Sequence, residues 1–272
     1  MKSGYSSYFS KTPKKTIRGT AVFMIHGVGG KFKVWSPQIT FLNNYGFTVI
    51  ALNLIGHGGS SKPRDQAAYT FEKMSKDVFA IFDKFMMQKN VIVGHSYGCC
   101  FAALLARQKP DYIHGLIMIS GGAPIPLGPQ LGIFGLPLCC LQCIKCILYR
   151  EFLSRSFHKP NRNNLCHLTA ITVPIFVLKN TLNGQRWDEG GVNFYSLIAS
   201  PTLLIQGKKD RLISVEEVYF MKNTIKTSSL VLMENVGHMV MLESPDDLNS
   251  LIAYFMEEFL DKQSLSMSTE SS

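Results

Sequence analysis

The chain has 272 residues, of which 46% are hydrophobic, and carries a formal net charge of +9. This length and hydrophobic content can bury one large core with an insertion, which argues against a disordered chain. No helix-turn-helix, zinc-finger or RNA-recognition signature accompanies the positive charge, so we expect no nucleic-acid partner.

Three continuous apolar runs predict buried strands early in the chain. They are Thr20–Ile25, Phe47–Leu54 and Asn90–Val93, and such runs are typical of parallel strands covered on both faces. Before the third run, apolar residues at helical spacing from Phe71 to Phe85 predict an amphipathic helix.

The alternation of strands and helices continues to the end of the chain. This order predicts an α/β fold with a mostly parallel, doubly wound sheet. The further predicted elements are a helix at Tyr97–Gln108, a strand at Gly115–Ile119, a strand at Pro201–Gln206, a helix at Val215–Ile225, a strand at Leu230–Met233 and a helix at Leu248–Leu260.

Residues 123–192 interrupt this alternation. They are first apolar and punctuated by Pro and Gly, then basic and rich in Asn, and we interpret them as a cap inserted over the carboxyl ends of the strands. The core is then formed by residues 1–122 and 193–260. Residues 261–272 are polar and Ser-rich, which predicts a disordered tail.

The sequence Gly94-His95-Ser96-Tyr97-Gly98 lies between a predicted strand and a predicted helix. In that context a G-x-S-x-G pattern indicates a sharp turn that exposes the central serine. Both glycines are needed because a Cβ atom would prevent the turn from closing. We therefore expect Ser96 to be a nucleophile.

A nucleophilic serine needs a base to take its proton and a carboxylate to orient that base. Asp210 and His238 each come just after a predicted strand, in the chain order that accompanies this type of turn. The predicted triad is Ser96, His238 as base and Asp210 as acid.

The oxyanion that forms when a serine attacks a carbonyl needs preorganised N–H donors. We expect one from the backbone of Tyr97, at the start of the helix after the nucleophile. The second is expected from Val28, within the glycine-rich turn at 26–30.

These motifs resemble the α/β-hydrolase superfamily over nearly the whole chain. The turn at 26–30, the loops at 56–60 and 207–210 and the segment Val236–Pro245 all contribute. The G-V-G-G turn, the G-H-S-Y-G sequence and a Cys-rich cap are similar to those of a group of animal members. The resemblance implies an α/β-hydrolase fold with a helical cap, and hydrolysis of an ester or thioester through an acyl-enzyme, with no cofactor or metal.

Two features depart from the superfamily pattern. About nineteen residues precede the first predicted strand, which leads into the glycine-rich turn, and they leave room for at most one of the two further strands that usually come before it. Glu243 stands where some lipid-handling relatives have the Asp of an H-x-x-x-x-D acyltransferase motif, which weakens an acyltransferase interpretation. A catalytically silent binding or adaptor protein remains the alternative, because an open sheet edge can accept a partner strand.

The seven cysteines include two adjacent pairs, and no N-glycosylation sequon occurs. This usage is typical of a reducing compartment, and residues 1–18 lack the apolar stretch of a secretory signal, so we expect a cytoplasmic protein. Cys140, Cys143 and Cys146 recur every third residue. We favour packing inside the cap, with a lipidated or membrane-facing site and a metal site as alternatives.

The cap also predicts contact with lipid. Residues 131–148 are apolar with a single charge, and Pro137 argues against a membrane span. We expect the cap to admit a lipid-like acyl substrate and to rest peripherally on an anionic membrane. The alternative is a cap packed wholly on its own domain. The basic residues of this region are Lys145, Arg150, Arg155, Lys159 and Arg162.

Overall fold

The computed structural model describes residues 7–9, 19–165 and 173–269. Its sheet has seven strands in the order β1-β3-β2-β4-β5-β6-β7. Neighbouring strands are parallel, except that β1 pairs antiparallel with β3. The strands are β1 (Ser7–Phe9), β2 (Thr20–Ile25), β3 (Thr48–Leu52), β4 (Lys89–His95), β5 (Ile113–Ile119), β6 (Thr202–Gly207) and β7 (Ser228–Met233).

Helices cover both faces of this sheet, which confirms the predicted doubly wound α/β fold. The core helices are α1 (Ser36–Tyr45), α2 (Phe71–Phe85), α3 (Gly98–Gln108), α8 (Val215–Thr224), α9 (Val240–Glu243) and α10 (Pro245–Thr269). On one face α2, α3 and α8 pack against Phe23 and Ile50, and on the other α1, α9 and α10 pack against Val22 and Met24. Successive side chains of a strand point to opposite faces of the sheet, so neighbouring residues of β2 pack in different layers of the core.

The cap lies between β5 and β6. Its helices are α4 (Leu138–Ser156), α5 (Lys159–Leu165) and α6 (Ile175–Asn183), and α7 (Val192–Tyr195) begins at the last residue of the predicted cap and places Tyr195 in the core. A bridge between Leu127 and Trp187 ties the start of the cap to its end. Within α4, only Leu141 and Ser156 are buried among the described residues.

The structure agrees with the prediction for the first strand of the core and differs from the prediction for its last helix. In the described residues one strand, β1, precedes β2, the strand that leads into the glycine-rich turn, in agreement with the expected room for at most one. At the other end α10 continues to Thr269, whereas the sequence analysis predicts a disordered tail from Asp261. No Gly or Pro occurs between Asp261 and Thr269 to end the helix, and residues 270–272 lie outside the described residues.

Candidate active site

Ser96 lies at the turn between β4 and α3, with a φ of 52°. This left-handed conformation is strained for a residue with a side chain. A Cβ atom on Gly94 would lie 2.7 Å from Cys99 Cα, and one on Gly98 would collide with the carbonyl of Ile25. Both glycines are therefore required by close backbone approach, and the turn presents Ser96 at the carboxyl edge of the sheet.

Asp210 and His238 meet at the same edge of the sheet, after β6 and β7. His238 Nδ1 lies 2.8 Å from Asp210 Oδ2. The other Asp210 oxygen accepts backbone N–H groups from Leu212 at 2.7 Å and Ile213 at 3.0 Å. These bonds fix the carboxylate, which in turn orients the imidazole.

The charge state of Asp210 follows from these contacts. Burial alone raises the pKa of its carboxyl. The neighbouring His238, through its charge and hydrogen bond, and the N–H groups of Ile213 and Leu212 outweigh burial and bring the pKa below its ordinary value. Asp210 is therefore ionised at neutral pH and holds a proton of His238 on Nδ1, which directs Nε2 to act as the base.

Ser96 and His238 line one small cavity of about 80 Å³. Val28 and the other residues of the glycine-rich turn form part of its wall. The ring of Tyr97 instead packs against Phe71 and Phe101 in the core, and this residue is not among those that line the cavity. The structure thus brings the predicted nucleophile, base and turn together, with Asp210 behind His238.

The N–H groups around this cavity differ in their partners. Gly29 N–H donates to His57 Nε2 at 3.0 Å, and Gly30 N–H donates to the Gly27 carbonyl at 3.1 Å. In the described part of the chain, no protein acceptor pairs with the backbone N–H of Val28 or Tyr97. Two donors beside the serine are therefore available to a substrate oxygen.

Three buried histidines brace the loops of the site. His26 Nε2 accepts the N–H of Leu54 at 3.1 Å, and His95 Nε2 lies 3.0 Å from the His238 carbonyl. Burial lowers the pKa of His26 and His95 to about 3 and that of His57 to about 4. They are neutral at ordinary pH and act as hydrogen-bonding supports.

One carboxylate that sequence reasoning assigned no role joins the cap to the loop that carries His238. Glu243 accepts the N–H of Gly237 at 2.9 Å, the N–H of His158 at 3.0 Å and the amide of Asn161 at 3.0 Å. Burial raises the pKa of Glu243 against the opposing effect of these bonds. The only sequence signal was its position five residues after His238.

The end of α4 supports the same loop directly. The Ser156 carbonyl accepts the N–H of His238 at 2.8 Å and that of Met239 at 3.2 Å. A Cβ atom on Gly237 would lie 2.8 Å from this carbonyl and from His158 N, so only glycine fits there. The loop that carries His238 is therefore held in place partly by the cap.

A second cavity of about 340 Å³ lies within the cap. Its walls are mostly apolar, and Val28, Phe152 and Leu212 line both this cavity and the catalytic one. Two cations, Lys145 and Arg155, also line it. Its size is within the range of small-molecule sites.

The cap cysteines are placed differently from the favoured prediction. Cys140, Cys143 and Cys146 are free and exposed, so packing inside the cap is wrong. The spacing does place them on one side of α4, but that side faces solvent. The metal alternative finds no support either, since the described residues contain no group of three or more His, Cys, Asp or Glu that could hold an ion.

Sequence comparisons agree with this architecture. The family model for the alpha/beta hydrolase fold matches residues 20–134. Protein ABHD8 of Mus musculus is 39% identical over 239 residues, which cover 86% of this chain and 54% of the mouse protein. The chain thus spans about half the length of this relative.

Solved structures share the fold. An esterase from Thermogutta terrifontis has a TM-score of 0.78 at 21% identity and covers 94% of both chains. A bacterial membrane phospholipase A has a TM-score of 0.71 at 22% identity, covering 94% of this chain and 87% of its own. Identities this low show the fold alone. With the motifs, the sheet order and the similarity to Protein ABHD8, the chain belongs to the α/β-hydrolase superfamily.

Proposed function

We propose that this protein is a serine hydrolase that cleaves an ester or thioester with a lipid-like acyl chain. The observation that carries the proposal is the hydrogen-bonded His238–Asp210 pair, at 2.8 Å, whose histidine shares a cavity with the strained Ser96. A base held in one tautomer beside a serine that lines the same cavity is the arrangement that activates a hydroxyl for acyl transfer.

The reaction proceeds in two halves. Ser96 Oγ attacks the carbonyl carbon while His238 takes its proton, and the N–H groups of Val28 and Tyr97 stabilise the oxyanion. The tetrahedral intermediate collapses as the leaving group departs with the proton from His238, which leaves an acyl-enzyme. Water then attacks the acyl-enzyme, His238 again moving the proton, and the acid is released.

The cap cavity supports an acyl chain as the substrate group. It adjoins the catalytic cavity through Val28, Phe152 and Leu212 and is mostly apolar, so burial of methylene groups would favour binding at about 0.8 kcal/mol for each. The similar fold of an esterase and a phospholipase A is compatible with such a substrate.

We place the protein in the cytoplasm, at membrane surfaces. The exposed free cysteines of the cap would oxidise readily in a secretory compartment, which favours a reducing one. No helix in the described residues has the length and apolarity to cross a membrane, and the contact proposed below is with the bilayer surface.

Labelling with a fluorophosphonate probe tests the proposal. The wild-type protein should label, Ser96→Ala should not, and Ser250→Ala, which removes an exposed serine from α10, should label like wild type. A wild-type protein that fails to label while it is folded would overturn the hydrolase proposal and favour the silent adaptor. Labelling of Ser96→Ala would place the nucleophile elsewhere.

A further inference from the structure

Four cysteines on α4 form a surface that the catalytic site does not use. Cys139, Cys140, Cys143 and Cys146 are all exposed and free, and we call them the thiol face. None of them lines the catalytic cavity or the cap cavity. An exposed cluster of thiols is costly to keep in a protein that does not use it, because thiols oxidise.

Large apolar side chains are exposed on the same helix and in the segment before it. Ile147 is 68% exposed and Leu131 is 57% exposed, and Ile133, Leu136 and Leu138 are each more than 40% exposed. Exposed apolar residues grouped in one region mark an interaction surface with a protein or a membrane.

The charge of this part of the cap distinguishes a membrane from a protein as the partner of the exposed apolar surface. Glu151 is the single acidic residue between positions 123 and 165. The cations Lys145, Arg150, Arg155 and Lys159 are exposed, and none forms an ion pair within the described residues. Arg150 continues the helical stripe of Cys139, Cys143 and Cys146, since these positions follow at spacings of three and four. Apolar residues beside unpaired cations suit an anionic lipid surface.

Other uses of the thiols do not fit the geometry. The sulfur atoms of Cys139 and Cys140 are 4.0 Å apart, about twice the length of a disulfide bond. A metal site is not formed among the described residues. We propose that α4 rests on an anionic bilayer surface and that cysteines of the thiol face are S-acylated there.

The reaction is an exchange of thioesters. A cysteine thiolate attacks the carbonyl carbon of a long-chain acyl thioester such as an acyl-coenzyme A, and the new C–S bond forms as the donor C–S bond breaks. The donor thiol leaves and takes the proton that the cysteine lost, so nothing is oxidised or reduced. One acyl chain holds a protein only marginally on a membrane, and the nearby cations supply the second attachment that stable binding needs.

The acylation is tested in the full chain expressed in animal cells. Thioesters are cleaved with hydroxylamine and the freed thiols are tagged to give a mass shift. The wild-type protein should show the shift, and a variant with all four cysteines of the thiol face changed to Ser should lose it, although Cys99, Cys100 and Cys166 remain. Absence of a hydroxylamine-dependent shift in wild type, or its persistence in the variant, would overturn the proposal.

The bilayer contact is tested with unacylated protein and vesicles of phosphatidylcholine with or without phosphatidylserine. Because Lys145 and Arg155 line the cap cavity, the test uses Arg150→Ala with Lys159→Ala. Binding to the anionic vesicles should fall about fivefold for each cation removed. The control, Lys73→Ala with Lys84→Ala on α2, removes equal charge and should change nothing. Equal losses in both pairs, or equal binding to both vesicles, would refute the contact.

This inference does not depend on the proposed function. The cysteine variant should label with the fluorophosphonate probe as wild type does, which also shows that it is folded. A wild-type protein that is acylated but does not label would overturn the hydrolase and leave the thiol face intact. A protein that labels but is not acylated would do the reverse.

Discussion

Helix α3 of the core and helix α4 of the cap differ in how much of each is buried. In α3, which follows the nucleophile, every residue from Gly98 to Ala106 is buried, whereas α4 of the cap buries only Leu141 and Ser156 of its nineteen residues. The conformation of α3 is fixed by the protein's own packing. Most side chains of α4 are exposed or only partly buried, so packing within the chain constrains this helix much less than it constrains α3.

The largest effect is expected from a substitution in the proposed catalytic triad. Asp210→Asn should lower kcat by a factor on the order of 10⁴, because an amide no longer holds His238 in the tautomer that accepts the serine proton. Hydrolysis of a p-nitrophenyl ester measures it. A loss of less than tenfold would show that Asp210 does not orient the base.

Acid should destabilise the core through its buried histidines. Folding lowers the pKa of His26, His57 and His95 from 6.5 to about 3, 4 and 3, so between these values the unfolded chain binds more protons than the native one. The contribution of these neutral histidines to the free energy of unfolding is complete above pH 6.5 and is lost as the pH falls toward 4. The free energy of unfolding should drop by roughly 4 kcal/mol for each pH unit below about 6.

Urea titrations at several pH values measure this slope. A free energy of unfolding that stays constant between pH 6.5 and 5 would mean that these histidines are not buried as neutral rings.

A pair of truncations compares the two helices directly. Leu105→Ala in α3 removes a side chain that is 1% exposed and should cost about 2–5 kcal/mol in stability. Ile147→Ala in α4 removes one that is 68% exposed and should change stability by less than about 0.5 kcal/mol. Denaturant unfolding of both variants checks this. Equal costs would mean that α4 is packed by its own domain.

A moderate effect should come from the contact that joins the two regions. Glu243→Ala leaves the N–H groups of Gly237 and His158 without their acceptor and should cost about 1–3 kcal/mol in stability. As a positioning residue for the His238 loop, it should also lower kcat while KM stays close to wild type.

Glu216→Ala, on the exposed side of α8, is the matched control and should change neither quantity. Rescue of kcat by Glu243→Gln, which restores one acceptor oxygen, would separate positioning from a general loss of stability. A raised KM with unchanged kcat would assign Glu243 to the binding of substrate through the cap.

The sequence predicted what depends on neighbours along the chain. Gly94, Ser96 and Gly98 specify a turn whose geometry requires those residues, and the apolar runs specify strands buried on both faces. The contact of Glu243 with His158 joins residues 85 positions apart, and no local pattern reports it. Periodicity likewise placed the cap cysteines on one side of a helix but could not say whether another element covers that side.

The hydrogen bonds from His238 and Met239 to the Ser156 carbonyl limit which segments of the cap can be exchanged between related proteins without disturbing the loop that carries His238. An exchange designed from sequence alone would replace the whole predicted cap, with junctions near residues 123 and 192. Yet Ser156 lies in the middle of that insertion, and its carbonyl supports the loop that carries His238. The backbone path from Ser156 to His158 should therefore be inherited with the core, and chimeras that keep it should hold their histidine in place. Because Leu127 bridges Trp187, the segments of the cap before and after this path should be exchanged together.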